Sequence, residues 1–320
     1  MSKELNIILF VVAACLNYGN SQQFGINTMY NLDSYLANKA TAGLQGQSLI
    51  SLTYRNQWEN LKGSPVNFQA NYSMPLRMVN GGYGLHISHR SAGILSTTEL
   101  GASYNQVWSK ADYLVSGAFG LFDQITNLDF NKIRTPEGEY SSNIFDHHDP
   151  NLSSTATNQN AIGLNLSIYC QTRILEGGIE FSLPVFHASK HKPSFLKTEH
   201  LLKIVLFKEF NIAQWTINAS IFDYTDLVEN QEEIQANIKY RDQFSGGLLL
   251  RGLRPSSLDA IGMQFSFRLA KGVWLAYHFE WPLNVLKNQI NSLNQQFGLK
   301  FEFNTFDKRK RIPIIYNPRW

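Results

Sequence analysis

The stretch Ile162-Gly163-Leu164-Asn165-Leu166-Ser167-Ile168-Tyr169-Cys170-Gln171 alternates apolar residues with small or polar residues at nearly every step. Side chains of a β-strand point alternately to its two faces, so this order puts an apolar row opposite a polar row. A helix would spread both kinds of side chain around its circumference. A tilted strand of about ten residues crosses a bilayer. The stretch therefore predicts a membrane-spanning strand.

The same alternation recurs along most of the chain. Residues 66–74, 261–269 and 297–303 each place apolar side chains at every second position. Alternate connections are short and long, as in outer-membrane barrels. We therefore predict an all-β fold, a transmembrane antiparallel up-and-down β-barrel of about fourteen strands, with twelve or sixteen as alternatives. The predicted strands are 47–56, 65–74, 82–91, 95–107, 112–122, 161–171, 174–183, 198–209, 213–222, 232–240, 244–251, 258–268, 272–280 and 295–303.

Composition and strand length count against other fold classes. Mean hydropathy is -0.22, and no long apolar run follows the first twenty residues, which excludes a polytopic helical membrane protein. A soluble β-sandwich would normally have seven to nine strands of about five or six residues. The predicted strands are more numerous and mostly longer. The net charge of +3 gives no broad basic field, which argues against a nucleic-acid partner.

The first residues have the character of a secretory signal. Lys3 precedes an apolar run over residues 7–16, and small residues before Gln22 suit cleavage. A lipobox-like Val12-Ala13-Ala14-Cys15 is the alternative, with Cys15 lipidated. In the mature chain cut at Gln22, Cys170 stands alone, so no disulfide can form within it. The predicted organisation is a signal peptide at 1–21, a periplasmic segment at 22–46, an outer-membrane barrel at 47–303 and a periplasmic tail at 304–320.

The predicted strands allow us to say which aromatic residues should face lipid and which charged residues should face the lumen. Aromatic residues near strand ends suit two interfacial girdles: Tyr54, Trp58, Trp108, Tyr113, Trp215, Tyr240, Trp274 and Trp281. Charges within strands are costly against lipid, so we expect them to face the lumen: Lys203, Lys239, Arg251, Arg268, Glu280, Lys300 and Glu302. If they form a crowded network the lumen is plugged, and if they line a gap the barrel is a pore.

Candidate chemistry is sparse. Asp146-His147-His148-Asp149 could share a cation, but adjacency alone specifies no coordination geometry, and a polar loop tip is the favoured interpretation. His86 with Ser88, or His278, could serve a barrel hydrolase, yet each lies among other polar residues and ordinary lumen-facing side chains are favoured. The chain has no nucleotide-binding, metalloprotease or nucleophile-elbow motif. We expect neither catalytic residues nor a cofactor.

Two blocks carry a family resemblance. Tyr54-Arg55-Asn56-Gln57-Trp58 followed by Gly63-Ser64-Pro65 resembles a Y-R-x-Q-W block with a following G-x-P, and Asn317-Pro318-Arg319-Trp320 resembles an N-P-R-aromatic ending. Both are features of the PorP/SprF outer-membrane proteins of the type IX secretion system of Bacteroidota. Lys39 and Thr41 depart from the family's opening element, where Pro and Tyr are usual. The chain thus resembles a divergent member.

The resemblance implies a non-enzymatic envelope protein. Its expected role is to support secretion or surface assembly of a partner such as a gliding adhesin, with outer-membrane lipid, periplasmic secretion components and a secreted cargo as partners. A general porin or small-solute channel is the alternative function. The loop at 123–160 and the tail are candidate partner surfaces; the tail residues are Lys308, Arg309, Lys310, Arg311, Asn317, Pro318, Arg319 and Trp320. The basic run could equally be a solvated flank or contact anionic lipid.

Overall fold

The computed structural model describes residues 27–110, 112–140, 145–148, 157–189, 200–227, 230–252, 258–283 and 293–304. Fourteen antiparallel strands close into one barrel, which confirms the predicted fold and strand number. In chain order they are β1 (Ser48–Asn56), β2 (Val66–Leu76), β3 (Gly81–Ala92), β4 (Leu95–Lys110), β5 (Tyr113–Leu128), β8 (Thr157–Thr172), β9 (Glu176–Ser189), β10 (Leu201–Ile212), β11 (Trp215–Thr225), β12 (Asn230–Tyr240), β13 (Phe244–Arg251), β14 (Ala260–Ala270), β15 (Val273–Pro282) and β16 (Asn294–Phe303). A separate hairpin, β6 (Glu139–Tyr140) and β7 (Phe145–Asp146), lies between β5 and β8.

The barrel closes where its first strand meets its last. β1 pairs with β16 from Ser48 opposite Phe303 to Asn56 opposite Gln295. Every strand of the barrel therefore has a hydrogen-bonded neighbour on both sides, and the sheet has no edge strand. Four short 3₁₀ helices accompany the strands, at Ser34–Leu36, Lys39–Thr41, Arg77–Val79 and Phe130–Lys132. Within the described ranges, no helix has the length and apolar character needed to cross a membrane.

The two faces of the wall follow the alternation in the sequence. On β8, Ile162, Leu166 and Ile168 are exposed on the outside, whereas Asn165 and Ser167 are buried on the inside. An apolar outer surface with a polar inner surface is the arrangement of a membrane barrel. The period-two pattern therefore placed the side chains of this strand on the correct faces.

Several strands are longer than predicted, most of all β5, β8 and β9, and β9 ends at Ser189 where the prediction ended it at 183. β5 continues to Leu128 and β8 begins at Thr157, with ladder pairing unbroken to the Leu128–Thr157 pair. The sequence prediction ended the first of these strands at 122 and began the second at 161. In residues 123–128 and 157–160 polar side chains occupy both faces of the strands. The apolar alternation disappears there, although the backbone hydrogen bonds continue. The predicted loop at 123–160 is correspondingly shorter.

The connections sort onto two ends of the barrel. One end, called here the turn end, carries the short connections 77–80, 111–112, 173–175, 213–214, 241–243 and 271–272, together with the start of β1 and the end of β16. The opposite loop end carries most of the longer connections. The link of Gly93 and Ile94 between β3 and β4 is the short exception.

Residues 27–46 correct the predicted organisation. The sequence analysis placed residues 22–46 in the periplasm, but residues 27–46 lie inside the barrel and contact opposite walls, through Tyr35 to Ser103 and through Asn31 to Gln235. We call residues 27–46 the inner segment. The placement was missed because these residues show neither strand nor helix periodicity, and their partners are far away in sequence.

One aromatic residue that was predicted to face lipid, Trp274, faces the lumen instead. Trp274 is buried on the inner face of β15, with the cations of Arg268 and Lys300 over its ring at 5.7 and 5.5 Å. Its position next to the strand start suggested a girdle, but its parity is that of the inward residues His278 and Glu280. Exposed outer aromatics near the strand ends include Trp108, Tyr113 and Trp215 at the turn end, and Tyr54 and Trp281 at the loop end.

Candidate functional site in the barrel lumen

The inner segment is shaped by two capped 3₁₀ turns. The side chain of Asp33 accepts a hydrogen bond from the Tyr35 backbone N–H at 3.0 Å and begins the first turn. Asn38 does the same for the Ala40 N–H at 2.8 Å and begins the second. Caps of this kind satisfy backbone donors that a short helix leaves unpaired. The segment is therefore a compact folded element.

Strands β1 to β4 hold one side of the inner segment. The Asp33 carboxylate accepts hydrogen bonds from the Ser51 hydroxyl and, at 3.2 Å, from Asn71 Nδ2. The hydroxyl of Tyr35 lies 2.9 Å from Ser103 Oγ. These groups are buried, so each bond also prevents an unsatisfied polar group in the lumen.

Strands β4, β5, β8 and β9 hold the other side. The carbonyl of Ala40 accepts hydrogen bonds from Ser116 Oγ at 2.7 Å and Asn105 Nδ2 at 3.1 Å. The Lys39 backbone N–H donates to Glu180 Oε2 at 2.7 Å, and Asn38 Nδ2 donates to the Ile168 carbonyl at 3.1 Å. The inner segment thus bridges the lumen from wall to wall.

An apolar cluster fills the middle of the lumen. The ring of Tyr30 stacks on Phe222 with centroids 5.0 Å apart and meets Phe207 at 6.0 Å. Met29, Leu32 and Trp274 belong to the same buried cluster, with others from the inner segment and the wall. Burial of such side chains contributes about 1.5–3 kcal/mol each. The cluster fixes the inner segment by packing as well as by hydrogen bonds.

Glycines on the inner faces of the strands make room for the inner segment. A Cβ at Gly84 would overlap the ring of Tyr35, and a Cβ at Gly298 would overlap Met29 Sδ. At Gly82 the obstacle would be the backbone carbonyl of Ala42. The wall is therefore shaped to the inner segment, since close approach is what glycine permits in a strand.

Glu280 is the centre of a buried ionic network at the loop end. Its carboxylate accepts two hydrogen bonds from Arg55, at 2.9 and 2.8 Å, and two from Arg251, at 2.8 and 2.7 Å. His278 Nε2 lies 2.8 Å away, and Asn294 Nδ2 donates at 3.1 Å. Arg251 also pairs with Glu233 at 3.0 Å.

The network is closed to solvent and reaches the inner segment. Glu280 is 0% exposed and Arg55 is 2% exposed. The Thr28 hydroxyl lies 2.8 Å from Gln296 Oε1, which also accepts from Arg55 Nη1 at 3.3 Å. Two cations and two carboxylates balance one another, which is the condition for stable burial of charge. In the described part, this side of the lumen is a packed polar core.

A second ionic group occupies the opposite wall. Lys203 Nζ lies 2.8 Å from Glu180 Oε1, while Glu180 also receives the Lys39 backbone N–H. The Lys39 ammonium lies over the Tyr35 ring at 4.2 Å. Burial lowers the pKa of the Lys39 ammonium to about 8, and the carboxylate of Glu180 opposes that shift. The inner segment thus contributes its own cation to the lumen.

Most of these lumen charges were visible in the sequence, but their pairings were not. Arg251, Glu280 and Lys203 were expected to face inward, and they do. Glu233 and Glu180 were missed, although each lies within a predicted strand at an inward position and the same argument applied to them. Lys239, Arg268, Lys300 and Glu302 also have inward parity, near the turn end.

The residues of the Y-R-x-Q-W block divide between the two faces of the wall. Tyr54 is exposed on the outer face, whereas Arg55 turns inward to Glu280. Gln57 and Trp58 follow at the loop end, where the backbone N–H of Trp58 donates to Asn294 Oδ1 at 3.1 Å. The block therefore ties β1 to the strands that close the barrel.

The G-x-P residues hold the connection between β1 and β2. The Pro65 carbonyl accepts from the Gln57 N–H at 2.9 Å, and the Gly63 carbonyl accepts from the Gly93 N–H at 2.9 Å. Gly63 has φ +78, a conformation that favours glycine. These contacts are structural, so the block organises the loop end.

The histidines considered for chemistry are engaged by protein groups. His86 Nε2 lies 2.9 Å from Glu99 Oε1, and His278 belongs to the Glu280 network. His147 Nδ1 lies 2.9 Å from the Tyr140 hydroxyl, and His148 Nδ1 lies 2.6 Å from the Glu137 carbonyl. Within the described ranges, no group of three metal-capable side chains converges. Asp149 lies outside those ranges.

The predicted partner residues of the tail, Lys308 to Arg311 and Asn317 to Trp320, lie outside the described residues, as do the signal at 1–21 and Cys15. Asn304 is the last described residue and follows β16 at the turn end.

A closed antiparallel barrel with an apolar outer face and a lumen packed by its own N-terminal residues defines a class, the outer-membrane β-barrels with an internal plug. The sequence profile of the family described as "Type IX secretion system membrane protein PorP/SprF" matches residues 19–302. The chain belongs to this family, and it is a membrane component of type IX secretion.

A solved structure with a TM-score of 0.50 is similar in fold, and others match less closely. The crystal structure of the Ralstonia pickettii toluene transporter TbuX has 12% identity and a TM-score of 0.50, covering 89% of this chain and 96% of that chain. The CymD monoaromatic hydrocarbon channel has 10% identity and a TM-score of 0.47, covering 89% and 95%. A Pseudomonas aeruginosa FadL homologue has 9% identity and a TM-score of 0.44, covering 81% and 90%. No curated protein matches the chain.

Proposed function

We propose that this protein is a non-enzymatic component of the type IX secretion system that supports secretion or surface assembly of a partner protein, such as a gliding adhesin. The observation that supports this most is the filled lumen. The inner segment bonds to opposite walls at Ser103 and Gln235, and the Glu280 network closes the space beside it. A barrel packed in this way is suited to act as a scaffold in the membrane.

A general porin is the second candidate, and the same observation counts against it. A porin needs a continuous water path, and its charged side chains line that path. Here Glu280, Arg55 and Arg251 are buried against one another, and Tyr30 and Phe222 fill the centre with aromatic surface. Conduction would require the inner segment to leave the lumen.

The proposal includes an orientation. We place the turn end and the tail on the periplasmic side and the loop end outside, as is usual for barrels with short periplasmic turns. The chain would be exported by a signal cleaved before Gln22. The tail with Lys308 to Arg311 would then meet periplasmic secretion components, and the loop between β5 and β8 would meet a secreted partner.

Planar bilayers test the scaffold against the porin. The purified full-length barrel should show no stable large conductance, because the inner segment and the buried Glu280 network occupy the lumen. Steady conductance of the unmodified protein would favour the porin. A known porin reconstituted in the same lipid provides the positive control.

Gene deletion tests the role in secretion. The surface proteome of the deletion strain should lose at least one type IX cargo, and the full-length gene should restore it. Unchanged surface levels of every cargo would overturn the proposed role, whatever the conductance of the barrel.

A further inference from the structure

Three cations on the outside of the turn end each lie beside an aromatic ring. Lys110 Nζ lies 6.0 Å from the centre of the Tyr113 ring, and Lys208 Nζ lies 5.3 Å from that of Phe210. The Arg241 guanidinium lies 5.2 Å from the centre of the Tyr240 ring. We call these three cation–aromatic pairs the turn-end collar.

The collar lies on the outer surface and runs part of the way around the barrel. Lys110 ends β4 with the same parity as the exposed residues Tyr104 and Trp108. Lys208 has the outward parity of Phe210 on β10, and Arg241 follows β12. Next to Arg241, the exposed Trp215 packs on Tyr240 with centroids 4.6 Å apart.

The collar cations keep their charge available. In the described part of the chain, no carboxylate lies within ion-pair distance of Lys110, Lys208 or Arg241, although that of Glu176 is close enough to interact electrostatically with Lys208. Arg241 Nε donates to Gln214 Oε1 at 2.6 Å, and Lys208 Nζ donates to the Ile174 carbonyl, and both acceptors are neutral. By contrast, Arg173 at the same end pairs with Asp112 at 2.7 Å.

The loop end has the opposite character. Its described hairpin region carries four carboxylates, Asp129, Glu137, Glu139 and Asp146, beside the cations of Lys132 and Arg134, the latter over the Tyr140 ring at 4.4 Å. Lys132 lies 3.6 Å from Asp129, and Arg134 donates to the Asn131 carbonyl at 2.8 Å. In this described hairpin region carboxylates outnumber lysine and arginine, whereas none of the collar cations has a described carboxylate within ion-pair distance.

We propose that the turn-end collar binds the phosphate groups of anionic glycerophospholipids in the adjoining leaflet. Aromatic rings of outer-membrane barrels sit at headgroup level, and lysine and arginine form short charge-assisted hydrogen bonds with phosphate. Each ring holds its cation close to the wall, where the first shell of lipid lies. The collar would therefore enrich anionic phospholipid around this rim and fix the height of the barrel in the membrane.

The lipid that co-purifies with the protein measures this preference for anionic phospholipid directly. The full-length protein is reconstituted into vesicles of phosphatidylethanolamine and phosphatidylglycerol at a known ratio, extracted in mild detergent, and its bound lipids are counted by mass spectrometry. We expect phosphatidylglycerol to be enriched over the input. The triple variant Lys110→Gln, Lys208→Gln, Arg241→Gln should lose that enrichment.

The matched control removes three cations from the loop end, Lys62→Gln, Lys132→Gln and Arg134→Gln, and should keep the enrichment. Heat-modifiable migration on gels verifies that each variant is folded. The unmodified protein gives an independent arm, because high salt should abolish the enrichment by screening. Lipid retained in the input ratio by the unmodified protein, or equal loss in the control, overturns the proposal. A folded collar variant that keeps the enrichment overturns it as well. None of these outcomes depends on the role in secretion.

Discussion

Arg55 and Glu280 form a bidentate ion pair inside the barrel, although 225 residues separate them. Arg55 is on β1 and Glu280 is on β15, so the pair spans the intervening β16. Arg251 on β13 approaches the same carboxylate across β14. One buried side chain thereby links three strands around the seam where the barrel closes.

Replacement of Glu280 by Gln should destabilise the barrel strongly. The variant keeps the shape of the side chain but leaves Arg55 and Arg251 with an uncompensated buried positive charge. Loss of one partner of a buried pair costs about 3–5 kcal/mol. Urea unfolding in lipid vesicles, followed by tryptophan fluorescence, measures the free energy of unfolding.

Glu302→Gln is the control for that experiment. Glu302 pairs with Lys300 at 2.8 Å near the turn end, where the two side chains are 20% and 13% exposed, so solvent can compensate part of the loss and the variant should be destabilised less. Equal destabilisation by the two variants would show that the Glu280 network has no special role.

Gly84→Val should displace the inner segment, because the new side chain would occupy the position of the Tyr35 ring. We expect a conductance in planar bilayers that the unmodified barrel lacks. Gly246→Val is the matched control, since a Cβ at that glycine would meet only the Phe265 ring on the outer face, at 3.9 and 4.0 Å. Tyr35→Ala combined with Gly84→Val should restore space and reduce the conductance. A silent Gly84→Val barrel that is correctly folded would contradict this account of the plug.

Leu166→Arg should destabilise the folded barrel by about 2–4 kcal/mol, the cost of an arginine facing lipid near the bilayer midplane. Leu166 is 46% exposed on the outer face near the middle of β8. Asn158→Arg on the same face, close to the loop end, should cost about 0–1 kcal/mol. Unfolding in vesicles compares the two, and the reverse order of effects would mean that the membrane belt lies elsewhere.

Truncation after Asn304 should leave the barrel folded, since β16 is complete at Phe303. We expect the truncated protein to recover fewer periplasmic secretion components in co-purification. A full-length variant with Gln at Lys308, Arg309, Lys310 and Arg311 separates the basic run from the rest of the tail. Undiminished recovery after truncation would exclude the tail as a partner surface.

The wall of the barrel could be predicted from the sequence because its signal is local. On β8 every second residue meets lipid, so neighbouring residues alone define the faces. The ends of β5 and β8 were missed where polar residues on both faces leave only the backbone ladder. Trp274 was misplaced because its nearness to a strand end outweighed its parity.

The contents of the lumen could not be predicted in the same way. Asp33 contacts Ser51 and Asn71, while Asn31, two residues earlier, contacts Gln235 across the lumen. No periodicity encodes such pairings, because each depends on where the whole barrel brings its strands together. The charges were recognisable by type and parity, but the partner of each charge was decided by the closed fold.

The position of the inner segment also couples the filling of the lumen to the closure of the wall. The segment directly precedes β1 in the chain and is enclosed once β1 pairs with β16. Its hydrogen bonds to Ser103 and Gln235 reach walls that face each other only in the closed barrel. The plug and the β1–β16 seam therefore stabilise each other, and a substitution that weakens one should also loosen the other.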